Sequence, residues 1–407
     1  MKKLICITIR DLSSNPFPEL ALPVLVRNGW KVTLVAPNVH QSVLNRCLPY
    51  ACWRHNVCSG SCSRLLSELA IQRWLQHARL GPYDVIYLQC QQLAPRAALG
   101  LAGPLFGKRL VYHTYDFYDP GTYPCYSRLE GHLTRRAACH LNGEYHRAYI
   151  TRTLYRLRCP VLVVPPHLPA NWPIPGRFEA GRRALGSRSS EDVILMLHGA
   201  PSDLRATGQL LTALARLPGR FRLAMTCALD DRLSATLGRL GIQDRVTCLG
   251  RLDYLQMFSR TVNADIGIML HVNNDLGNFF QGPGRLTEYM ACGLPILASH
   301  FTGLQVLVGR HRLGACADPG DPADIAARIL EIEAGIRGGA FDRNAIRQCF
   351  LDRFAFDHWE PAVVAAFDAV LRSTPSPIPP VPDFSAQGSP AYTGPNAKGA
   401  PRQCSSS

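Results

Sequence analysis

No segment of this 407-residue chain offers the roughly 20 uncharged apolar residues that a membrane-crossing helix needs. The best candidate, Ala97 to Phe106, is bounded by Arg96 and Lys108 and broken by Gly100, Gly103 and Pro104. The opening MKKLICITIR lacks the apolar core of about 7 to 15 residues and the small-residue cleavage site of a secretory signal. The cytoplasm is therefore the expected location. Paired C-x-x-C knuckles are missing from the group Cys47, Cys52, His55, Cys58 and Cys62, and common zinc sites use them. No metal and no bound cofactor is expected. Many of the fifteen cysteines, such as Cys6, Cys227 and Cys248, lie inside apolar runs, where a thiol behaves as a small hydrophobe. An odd count in a chain without a signal suits a reducing compartment. Acidic residues are scarce early on: residues 1–170 hold 20 Lys and Arg against 8 Asp and Glu, and the remainder holds 24 against 22. Of the formal charge of +14, the first part thus carries +12. Basic charge without a recognition motif does not mark a nucleic-acid binder.

At 47% hydrophobic and 18% charged residues, with 33 Gly and 31 Pro, the chain is globular and neither disordered, coiled-coil nor collagenous. Its length suits two domains plus a remainder. Short β-rich runs alternate with helical stretches, the pattern of a parallel sheet covered by helices. Strands are expected at Lys3 to Ile9, Lys31 to Ala36, Tyr83 to Gln89, Arg109 to His113 and Val161 to Val164. Pro160, Pro165, Pro166, Pro169, Pro173 and Pro175 then crowd a stretch where helix and central strand are both disfavoured, so it reads as a linker. The alternation resumes with strands at Val193 to Leu197, Arg222 to Thr226, Arg245 to Leu249, Asp265 to Leu270 and Pro295 to Ser299. The expected architecture is α/β, with two Rossmann-like, doubly wound parallel-sheet domains facing across a ligand-binding cleft. The boundaries drawn are 1–167, 168–345, a closing segment 346–372 and a tail 373–407. Phe341 to Leu371 reads as helix, with the closing segment 346–372 expected to pack back towards the first domain, and the tail, with eight prolines, reads as a linker or disordered segment.

Asn278 to Ser299, NFFQGPGRLTEYMACGLPILAS, is the most informative stretch. Gly282 and Gly284 allow a ligand close to the backbone, and the free N–H groups of the helix that follows favour an anion. Arg285 adds a forked cation suited to phosphate. Glu288, three residues on, shares its helical face and can accept hydrogen bonds from sugar hydroxyls. The plain alternative is an exposed Arg285–Glu288 ion pair worth about 0.2–0.5 kcal/mol.

This stretch resembles the donor-site signature of glycosyltransferases of the GT-B fold, in particular family 4, through Arg285, Leu286, Glu288, Met290, Ala291, Gly293, Pro295, Ala298 and Ser299. Leu197-His198-Gly199 with Arg205, and Gly250-Arg251-Leu252 followed by Ala264-Asp265-Ile266-Gly267, resemble the family's glycine loop and nucleobase turn. The resemblance implies that Glu288 holds the donor ribose. It also implies that Arg205 and Arg285 stabilise the leaving diphosphate as the catalytic pair. Gly199, Gly250, Arg251, Leu252, Gly282, Gly284, Leu286 and Thr287 would complete the donor site. The implied activity is transfer of a sugar from a nucleotide-diphosphate donor to a saccharide or lipid-linked acceptor. It would retain anomeric configuration and serve cell-surface polysaccharide or glycoconjugate synthesis. Two departures stand out. Phe280 occupies the place of the first of the family's two motif glutamates, which contacts the transferred sugar. On the acceptor side, where relatives carry Gly-Gly and a His followed by Glu, the chain has Arg10 to Asn15, with Asp11, and then His113, Tyr115 and Asp116. Asp11, His113 and Asp116 are the acceptor-side candidates, and a structural role for His113 stays open. A sugar-nucleotide epimerase or hydrolase, or a non-catalytic scaffold of the same fold, are the competing readings. The basic first domain would meet an anionic acceptor, or the inner face of the cytoplasmic membrane as a peripheral protein.

Overall fold

The computed structural model describes residues 2–8, 21–36, 54–56, 82–89, 109–199, 201–280 and 284–372. Asp11, Gly282 and the 373–407 tail lie outside these residues, as does the cysteine group apart from the backbone of His55.

Two parallel sheets carry the fold. The first contains β1 (Lys2–Thr8), β2 (Trp30–Ala36), β3 (Arg54–Asn56), β4 (Val85–Gln89), β5 (Arg109–Thr114), β6 (Cys139–Asn142) and β7 (Val161–Val163), in the order β3-β2-β1-β4-β5-β6-β7. The second contains β8 (Val193–Leu197), β9 (Phe221–Met225), β10 (Val246–Cys248), β11 (Ile266–Met269), β12 (Ile296–Ser299) and β13 (Gly314–Ala317), in the order β10-β9-β8-β11-β12-β13. Central strands such as VIYLQ in β4 are buried along their whole length, as expected when helices cover both sides of a parallel sheet. Strand order reverses between β1 and β4 and again between β8 and β11. Such switch points open crevices at the carboxyl ends of the strands, where open α/β sheets bind ligands. In the second sheet those ends lead directly into His198-Gly199 and Leu270-His271.

Two expectations are corrected. Strands β3, β6 and β13 were not among those expected. The Phe341 to Leu371 stretch is not one helix but two, Arg343–Arg353 and Glu360–Arg372, joined by a 3-10 turn at Phe356–Trp359. Pro361 explains the break, because proline is tolerated in the first turn of a helix and not in its interior. The two pieces serve different halves. Ile346, Phe350 and Phe354 join the core around Tyr289 and Met290, whereas Val363, Phe367 and Val370 join the core of the first sheet. There Phe367 meets Tyr87 and Trp30 edge-on, at ring separations of 5.0 and 6.1 Å. Ion pairs Arg27–Glu360 (2.6 Å) and Lys2–Asp368 (2.7 Å) flank this contact.

Candidate functional site

The donor side starts at the end of β8. Gly199 has φ +91°, and a Cβ there would overlap Nη1 of Arg205. Glycine is thus required twice, for the left-handed backbone and to let the guanidinium lie on the chain. Arg205 ends a 3-10 turn at Asp203–Arg205 and is followed by Ala206 at φ 49°, which starts the helix Thr207–Arg216. Facing it is Arg285, the second residue of the helix Gly284–Ala291. Burial, and next the proximity of Arg285, lower the pKa of Arg205 to about 10. Among the described residues, Nη1 of Arg285 is buried without a hydrogen-bond partner. Near both is the buried His271, whose pKa falls to about 2 through burial and then through the charges of Arg285, Arg205 and Arg147. The imidazole is therefore neutral at any physiological pH. Two like charges held close together form a poised receptor for a polyanion.

Glu288 does not pair with Arg285. It is 5% exposed, and its carboxylate is held from two sides, by His198 Nδ1 at 3.0 Å on Oε2 and by the Tyr254 hydroxyl, which donates to Oε1 at 2.8 Å. His198, itself 4% exposed, lies 2.7 Å through Nε2 from Thr261 Oγ1. The Thr261 hydroxyl donates to the Met257 carbonyl at 2.7 Å, so Nε2 is left to donate. Both ring nitrogens are thus engaged, one with the Glu288 carboxyl and one with Thr261. Below, the Tyr289 hydroxyl shares its one proton between the carbonyls of Met196 (3.0 Å) and Ile268 (3.1 Å) and accepts from His198 N (3.2 Å). Its ring fills the space left by Gly267, where a Cβ would overlap it.

The first half reaches across to this site through the helix Tyr145–Leu154. Glu144 caps that helix, with Oε2 accepting from Arg147 N at 2.8 Å, and its Oε1 meets His146 Nδ1 at 2.8 Å. The buried Arg147 donates to the Tyr115 carbonyl at 2.6 Å and to the Gly277 carbonyl of the other half. Asp116 lies 3.7 Å from it. The His146 ring stacks on Phe280 at 5.3 Å and 22°.

The structure brings Arg205 against Gly199 and close to Arg285, which shares the helix Gly284–Ala291 with Glu288. Leu286 and Thr287 contribute only backbone, because Leu286 is in the core and the Thr287 hydroxyl bonds the Gly284 carbonyl at 2.9 Å. Gly250, at φ +73° with open space around it, turns the chain after β10, with Arg251 exposed and Leu252 half-buried. Of the expected acceptor-side residues, His113 is buried at 1% exposure and bonded to the Tyr87 hydroxyl at 2.7 Å, with the Tyr115 ring tilted against it at 4.2 Å. It is therefore a supporting group under Tyr115 and not a cleft-lining one. Asp116 is exposed beside Arg147. Sequence reasoning missed His271, Tyr254, Arg147 and His146 as site residues, and it quoted His198 only as part of the loop. Among the described residues no group of three or more His, Cys, Asp or Glu could hold a metal, and no helix is long and apolar enough to cross a membrane.

This pair of sheets with a cleft between them is the GT-B fold. The structure aligns with Anabaena HepE in complex with UDP and glucose at a TM-score of 0.69 and 17% identity, over 92% of this chain and 100% of that one. It also aligns with WaaG, a glycosyltransferase involved in lipopolysaccharide biosynthesis, at 0.66 and 14% identity over 88% and 99% of the two chains. Residues 194–334 match the family model described as Glycosyl transferases group 1, a stretch that contains the whole donor-side cluster. The D-inositol 3-phosphate glycosyltransferase of Mycolicibacterium smegmatis is 28% identical over 206 residues, 48% of this chain and 44% of that protein. A namesake from Mycobacterium sp. is 32% identical over 180 residues, 42% of this chain and 38% of its own length. The matches thus span less than half of these relatives.

Proposed function

We propose that the protein is a glycosyltransferase that moves a sugar from a nucleotide-diphosphate donor to an anionic saccharide or lipid-linked acceptor, with retention of anomeric configuration, in cell-surface polysaccharide or glycoconjugate synthesis. The observation that carries this reading is the Arg205–Arg285 pair over Gly199, with an unsatisfied buried guanidinium nitrogen and a buried carboxylate, Glu288, one helical turn away. A diphosphate fits the first and a ribose the second. The helix that begins at Gly284 directs free backbone N–H groups at the same place. As the glycosidic C–O bond to the diphosphate breaks, negative charge grows on the leaving oxygen, and the two guanidiniums stabilise it in a site screened from water. The leaving diphosphate itself takes the proton of the incoming hydroxyl, and the protein's work is positioning. UDP is the natural first nucleotide to try, since HepE binds it.

Thermal-shift titration with UDP-, GDP- and ADP-sugars tests the donor side, because a ligand that binds only the native state raises its stability by mass action. One nucleotide sugar is expected to raise Tm, and label from it should appear in a phosphate-bearing acceptor such as D-inositol 3-phosphate or a lipid-linked saccharide. Failure to bind any nucleotide diphosphate or its sugar would sink the reading. Release of free nucleotide diphosphate without acceptor, or inversion at C2 of the sugar, would turn it into a hydrolase or an epimerase.

The acceptor half also offers a surface to anionic lipid. Arg128, Arg135, Arg136, Arg152, Arg156 and Arg158 are exposed on or just after two helices, Pro124–Arg136 and Tyr145–Leu154. Tyr126, Tyr149 and Leu154 are exposed beside them. Arginines with aromatic side chains suit an interfacial layer. Co-sedimentation with vesicles containing phosphatidylserine is expected, and its release by salt; equal binding to purely zwitterionic vesicles would remove this part of the proposal.

A further inference from the structure

The cleft holds a polar group that the transfer chemistry above does not use. His146 projects from the acceptor half, and its side chain keeps 54% of its exposure. It is fixed on three sides. Glu144, nearly buried and itself locked as a helix cap, holds Nδ1 at 2.8 Å. Phe280 lies flat against the ring at 5.3 Å. Gly303 lies beyond, where a Cβ would be 3.4 Å from Cε1. Arg147, the next residue, ties this helix start to the Gly277 carbonyl of the donor half, so the imidazole is held in place relative to the donor loop. Nε2 has no hydrogen-bond partner among the described residues. A carboxylate fixing one nitrogen and leaving the other to a substrate is the arrangement by which proteins orient a working imidazole.

With Nδ1–H committed to Glu144, protonation decides what Nε2 offers. The neutral ring presents only a lone pair; the charged ring presents a donor. Glu144 raises the pKa of His146 above its usual value, chiefly through their hydrogen bond. A phenyl ring stacked on the imidazole also favours the cation. Resting on the transferase reading, we propose that His146, oriented by Glu144, donates a charged hydrogen bond from Nε2 to an oxyanion on one of the two substrates, either a carboxylate of the transferred sugar or a phosphate of the acceptor. A hydroxyl needing an acceptor finds none here, whereas an oxyanion gains a charge-assisted bond, about twice as strong as a neutral one.

Calorimetry on the full chain separates the two sources. In the sugar arm, UDP-glucuronate binds about 10-fold more tightly than UDP-glucose, the value of one charge-assisted hydrogen bond. In the acceptor arm, the UDP-bound protein binds D-inositol 3-phosphate about 10-fold more tightly than inositol. In whichever arm shows the preference, His146→Gln abolishes it and leaves UDP affinity unchanged. The titratable and charged groups of the elements meeting here are Glu144 and Arg147 on its own element, Asp116 after β5, Asp275 and Arg285 on the donor loop, and His300 ahead of the helix Thr302–Arg310. The pH dependence is therefore read as a difference between wild type and His146→Gln. The preference fades as pH rises through the imidazole titration in the wild type alone, and Glu144→Gln shifts that fading to lower pH. If UDP binds and neither preference exists, or if either survives in His146→Gln, the proposal is wrong while the transferase reading stands. If UDP and every other nucleotide diphosphate fail to bind, the transferase reading falls and takes this one with it.

Discussion

Replacing Arg285 or Arg205 by alanine is expected to lower kcat/KM by at least about 100-fold, the scale on which a single stabiliser of leaving-group charge acts, while leaving the unliganded protein as stable as before or more so. The two halves of this expectation have one cause. Burial first, and the Arg285 charge next, lower the pKa of Arg205 to about 10, and among the described residues Nη1 of Arg285 is buried without a partner. An unsatisfied buried donor costs about 1–3 kcal/mol, and removing either arginine also relieves like-charge repulsion. What the free protein pays for, the diphosphate releases. A thermal shift with the donor nucleotide should therefore disappear in each variant, although the starting Tm does not fall. A variant that unfolds at much lower temperature would show that the arginines are structural. Near wild-type turnover would show that the diphosphate binds elsewhere.

The comparison between pattern and structure follows the same physics. Strands of Val, Ile and Leu, such as β1, β4, β5 and β8, are legible because burial on both faces leaves a continuous apolar run. Cys139–Asn142, reading CHLN, and Gly314–Ala317, reading GACA, carry almost no β-branched residue. They are strands because their neighbours supply ladders, from His140 to Val161 and from Leu297 to Ala315, a tertiary effect that overrides propensity. The site divides in the same way. Gly199, Arg205, Gly284, Arg285 and Glu288 stand in local motifs and could be picked out in order. Tyr254 and Thr261 reach Glu288 and His198 from a separate helix, and Arg147 and His146 come from the other half of the molecule. No spacing rule connects positions 147 and 277. One local signal was available: a buried strand ending in His-Gly, as at His198, places a titratable ring where only a paired one can be afforded.

That pairing supports the second large effect. His198→Ala should destabilise the protein by about 1–3 kcal/mol, the cost of leaving the buried Glu288 carboxyl without one of its two hydrogen-bond partners, and it should weaken nucleotide binding as well. Stability and binding can be separated by a second change. In Glu288→Gln the buried carboxyl that His198 hydrogen-bonds is replaced by an amide, so His198→Ala combined with Glu288→Gln is expected to recover a large part of the lost stability, an interaction energy that a double-mutant cycle reads directly. Tyr254 still donates to the Gln carbonyl, and Tyr289, anchored on Met196 and Ile268, keeps the helix in place. Nucleotide binding should not recover, because the amide offers the ribose hydroxyls one neutral acceptor in place of a carboxylate fixed from both sides. Denaturant titration and calorimetry with UDP on the two single variants and the double variant give the four corners. Additive losses of stability would mean that His198 and Glu288 are merely adjacent. Binding restored along with stability would mean that Glu288 serves the core and that the ribose is held by another group.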